Sequence, residues 1–89
     1  MAAHSEGDAK AVGDYAHAEG YSEASDMYAH AEGCDTYATE EAAHAEGMST
    51  EASGLASHAE GFYTYAWGEA AHAEGKETKA AGYYSHAGG

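Results

Sequence analysis

Ser57-His58-Ala59-Glu60-Gly61 is followed seven residues later by Thr64-Tyr65-Ala66-Trp67-Gly68, and seven after that by Ala71-His72-Ala73-Glu74-Gly75. The shared form is small-x-Ala-x-Gly with two free residues between copies. Small and variable residues alternate with period two, which is the pattern of a strand with one packed face. The small residues fall on one face and the x residues on the other. Glycine at the end of each half is expected to supply the turn conformation that a β-carbon resists.

Working outward, His-Ala-Glu-Gly recurs at His17–Gly20, His30–Gly33, His44–Gly47, His58–Gly61 and His72–Gly75. Degenerate copies stand at His4–Gly7 and His86–Gly89 and read as weak caps. The seven histidines are spaced 13, 13, 14, 14, 14 and 14 residues apart. The two shorter units lose one turn residue, before Ala9 and before Ser22, and Asp26 and Glu40 stand where the pattern expects Gly. A fixed period this short signals a solenoid of small stacked turns. Two strands and two turns make one 14-residue coil, each strand pairing in parallel with its copy one coil on. The expected fold is an all-β parallel β-roll of about six turns, one repeat domain over residues 1–89. The rival is a helix, since Ala and Glu favour helices and seven is the heptad. Twelve glycines count against it, each costing about 1 kcal/mol relative to Ala in a helix interior.

Composition points the same way. Of the apolar residues 23 are Ala, with one Val, one Leu, one Phe and no Ile. No ordinary aliphatic core can be built from these, whereas Ala, Gly, Ser and Thr suit a narrow coil interior. A chain this small is marginal alone, so association is the expected stabiliser. The net charge of -13, with three basic residues, argues against nucleic-acid partners and anionic membranes. No apolar stretch reaches membrane-spanning length, so no membrane insertion is expected. No signal-peptide pattern is visible, so export would depend on other parts of a longer chain. Cys34 is alone, which excludes an intrachain disulfide.

Small-x-Ala-x-Gly at seven-residue spacing resembles the head repeats of trimeric autotransporter adhesins of the YadA type. The Ser-His-Ala-Glu-Gly variant is similar to repeats of phage tail-fibre proteins. The likeness covers about residues 3–89. It implies a left-handed roll and a homotrimer, intertwined or side by side. It also implies an extracellular place, on a virion tail fibre or a bacterial surface, and a structural role supporting attachment to a host-cell receptor or matrix. In the adhesin heads the inner strand carries Val and Ile toward the other chains. Here the corresponding positions are His17 and Glu19, His30 and Glu32, His44 and Glu46, His58 and Glu60, and His72 and Glu74. A trimer would therefore stack rings of three His and three Glu along its axis.

Three readings of that ladder stand side by side. His can donate to a neighbouring Glu in a hydrogen-bonded network that sets register. Converging imidazoles at His30, His44, His58 and His72, with carboxylates nearby, can hold a divalent metal. The residues can also form a solvated face. No cofactor beyond such an ion is implied. On the other strand Tyr37, Tyr65 and Trp67 form a candidate receptor-contact strip, and aromatic residues also simply favour strands. Thr36, Thr50, Thr64 and Thr78 form a column of the kind seen on ice-binding solenoids, but on the face expected to be internal. No enzyme is expected, because residues present in every repeat do not make one singular pocket.

Overall fold

The computed structural model describes residues 4–7 and 9–88; the expected missing residue before Ala9 and the outermost cap positions lie outside them. Among the described residues there is no helix. One column of strands carries the His-Ala-Glu segments and their degenerate end copies: β1 (His4–Glu6), β3 (His17–Ala24), β4 (His30–Ala38), β5 (His44–Met48), β7 (His58–Phe62), β9 (His72–Ala73) and β11 (His86–Ala87). The second column holds β2 (Lys10–Ala11), β6 (Glu51–Ala52), β8 (Tyr65–Ala66) and β10 (Lys79–Ala80), together with the C-terminal ends of β3 and β4. Every pairing is parallel, and each residue sits on its own copy: His17 on His30, His30 on His44, His44 on His58, His58 on His72, and His72 on His86. The chain is thus a parallel β-solenoid of about six turns.

Alternation decides what lies inside. Ala18, Ala24, Ala31, Ala38, Ala45, Ala52, Ala59, Ala66 and Ala73 are fully buried, and Thr36, Thr50, Thr64 and Ser57 are the largest fully buried side chains. Cα extents of 33 × 21 × 9 Å describe a thin slab. The buried side chains between its walls are all Ala, Ser or Thr. Thr36, Thr50 and Thr64 of the Thr column point inward and are fully buried, while Thr78 at its end is partly exposed.

The turns are built differently from the pattern's simplest reading. Gly33, Gly47 and Gly61 do adopt positive φ, between 112° and 119°. Gly54 and Gly68 do not; a β-carbon there would lie 2.0–2.1 Å from the backbone oxygen of the next coil, so close approach demands glycine. The left-handed residue of that turn comes two positions later, at Tyr15, Tyr28, Ala42, Ala56, Ala70 and Tyr84. Each turn is closed by a bond such as Ser57 N–H to the Gly54 carbonyl, 3.1 Å. The opposite turn has its own left-handed residue at Asp35, Ser49, Tyr63 and Glu77. β5 and β7 have the five residues expected and β3 and β4 run on through the turn to eight and nine, whereas β2, β6, β8, β9, β10 and β11 span only two, because the turns claim the rest of those coils. The short unit before Ser22 is taken up between Tyr21 and Ser22, where the register against β4 slips past Asp35. Cys34 is free and exposed.

Candidate functional site

In β3, β4, β5, β7 and β9 the buried Ala between His and Glu turns both of those side chains to the outside of the first column. Parallel in-register pairing then stacks each type on itself. The His17, His30, His44, His58, His72 and His86 rings form a continuous pile, with centroids 4.4–4.8 Å apart and planes within 10° of parallel. From His17 to His72 about a third of each histidine side chain is exposed.

The Glu column runs beside the pile, and the pairing changes along it. His17 Nε2 lies 2.8 Å from Glu19 Oε2, and His30 Nε2 lies 2.9 Å from Glu32 Oε2, both hydrogen bonds within one coil. Farther on the contacts lengthen and are shared between coils. Glu46 Oε2 is 3.5 Å from His44 and 3.7 Å from His58. Glu60 reaches His58 at 3.7 Å and His72 at 3.6 Å. Glu74 Oε2 lies 3.2 Å from His86. Nε2 of His44, His58 and His72 is consequently buried with no hydrogen-bond partner.

Stacking makes charge on the pile costly. The His44 pKa is pushed down to about 4, chiefly by burial and then by His30 and His58 on either side, against a smaller upward pull from Glu32 and Glu60. The Glu60 carboxyl is held below its ordinary value. Burial works to raise it, but His58, a hydrogen bond with Glu46, and His72 together outweigh that.

The candidate aromatic strip lies on the second column and is only partly assembled. Tyr65 and Trp67 meet with ring centroids 5.6 Å apart, and Lys79 Nζ stands 4.6 Å from the Trp67 ring centre. Tyr37 stands two rungs from Tyr65 with Glu51 on the rung between, and the three line one groove. A shallow groove beside Tyr65 is lined by Tyr63, Glu77, Thr78 and Lys79. At the turns, Tyr15 stacks on its copy Tyr28 in the adjacent coil, ring centroids 5.3 Å apart.

The sharing of one glutamate between two coils was not read from the sequence. The signal was present, because a Glu two residues after a His in a 14-residue coil also stands 12 residues before the next His. The chain matches no family model, no curated protein and no solved structure.

Proposed function

We propose that this chain is a structural segment of a trimeric fibre, a rigid rod that holds an attachment element away from its base. Three rolls, each left-handed, pack their His/Glu faces around a common axis. The observation that carries this is the pile itself: one unbroken, partly exposed face of chemically identical rungs. The interior needs only the small residues, so nothing inside the coil asks for His and Glu on that face. A partner that meets every rung alike does. The likeness to adhesin-head and tail-fibre repeats supports the same arrangement and an extracellular location, on a virion or a bacterial surface.

In this reading the variable second column faces outward, and Tyr65 and Trp67 with Tyr37 nearby are its candidate contacts with a receptor or matrix. We assign the chain no catalytic role. Native mass spectrometry of the purified chain at neutral pH tests the proposal. A mass of three chains is expected; a single-chain mass across the accessible concentration range removes it.

A further inference from the structure

The middle of the His pile contains polar atoms that the chain leaves without a partner. Nε2 of His44, His58 and His72 is sealed from solvent and makes no hydrogen bond. Carboxylate oxygens nevertheless stand 3.5–3.7 Å from these atoms. That spacing is long for a hydrogen bond. It is close to the separation of two ligands on one ion, since atoms each about 2.1 Å from a tetrahedral Zn2+ stand about 3.4 Å apart. Four sets of three ligand atoms lie within 4.8 Å of one another: His30–Glu32–His44, His44–Glu46–His58, His58–Glu60–His72 and His72–Glu74–His86. Two imidazoles and one carboxylate make a donor set suited to Zn2+ and its neighbours, with a fourth position left for water.

We propose that neighbouring histidines of the pile, with the glutamate between them, bind divalent transition-metal ions of the Zn2+ class, at most two across the four sets of the described residues from His30 to His86. The limit follows from sharing. His44, His58 and His72 each belong to two sets, and one Nε2 serves one ion. Filling a set therefore disables its neighbours, and four sets in a row hold two ions. Geometry reinforces this. Parallel rings aim their lone pairs alongside each other, so an ion draws one pair of rings together and widens the gaps on either side. The exposed third of each histidine side chain leaves room for that tilt.

All ligands of each ion come from one chain, so the inference does not depend on the trimer. The test is a Zn2+ titration of the chelator-stripped chain by calorimetry, with metal content measured after dialysis. Two ions are expected from the four sets between His30 and His86. The variant His17→Ala/His44→Ala/His72→Ala leaves no two histidines on adjacent rungs and is expected to retain no stoichiometric zinc. Axial rings of one His per chain would instead survive at four of the seven levels. The variant Glu32→Gln/Glu46→Gln/Glu60→Gln/Glu74→Gln keeps every imidazole in place and guards against a folding defect in the first. Its affinity is expected to fall by about tenfold or more. No binding by the parent, one ion per coil, zinc retained by the histidine variant, or unchanged affinity in the glutamine variant each overturns the proposal.

Discussion

The two outer faces of the roll rest on the same interior but carry opposite kinds of sequence. Beneath both, alanines and small hydroxyl residues fill a slab whose Cα atoms span 9 Å in its thin direction. On the first column the outward residues repeat as His and Glu from His17 to Glu74. On the second, one position runs Lys10, Glu23, Tyr37, Glu51, Tyr65, Lys79. Since the coil accepts Lys, Glu and Tyr at the second position, small residues inside do not by themselves dictate the uniformity of the first. Under the two proposals above, the demand for identical rungs comes from what that face meets, another chain or an ion.

If the interior is common property, enlarging it should be equally damaging beneath either face. Ala45→Leu under the His face and Ala52→Leu under the variable face add the same bulk at positions with no exposure. Each is expected to cost about 3 kcal/mol or more and to abolish a cooperative melt followed by circular dichroism. A mild effect at one position and a severe one at the other would show that the two walls are not packed alike.

Acid should act through the first face. His44 titrates near 4 in the folded chain against 6.5 when exposed, so the unfolded state takes up a proton first. Its contribution is complete above about pH 6.5 and is lost as the pH falls toward 4. The groups facing it are His30, His58, Glu32, Glu46 and Glu60. The thermal midpoint, measured with chelator present, should decline through that window. A His44→Gln chain should decline less, and equal declines would remove His44 as the cause.

Single truncations give the smallest and sharpest contrast. His58→Ala opens the pile between two stacked neighbours and is expected to cost about 1 kcal/mol. Glu51→Ala on the second column should stay within about 0.5 kcal/mol, as exposed changes usually do. Equal costs in a denaturant titration would erase the distinction between the faces.

Much of this was legible in the chain. The 14-residue period gave the parallel stacking, and Ala at every second position gave the inside of each wall. The common side of His58 and Glu60 followed from the same alternation. The turns were less legible. Glycine suggested positive φ at both ends of the coil, yet at Gly54 and Gly68 it answers a neighbouring backbone, and Ala56 and Ala70 take the left-handed conformation instead. Only the packing of one coil on the next reveals which need the glycine meets. The pairing of Glu60 with His72 was hidden for the same reason, being a contact between coils rather than within one.

Among the described residues every strand points the same way as its neighbours and, apart from the one-residue slip between Tyr21 and Ser22, sits in register with its copy. Rungs about 4.8 Å apart account for a long dimension of 33 Å. Inserting or deleting one 14-residue unit would therefore change the length by one such step and leave the cross-section as it was. The number of repeats acts as a ruler, and the two ends, being unlike, give that ruler a direction.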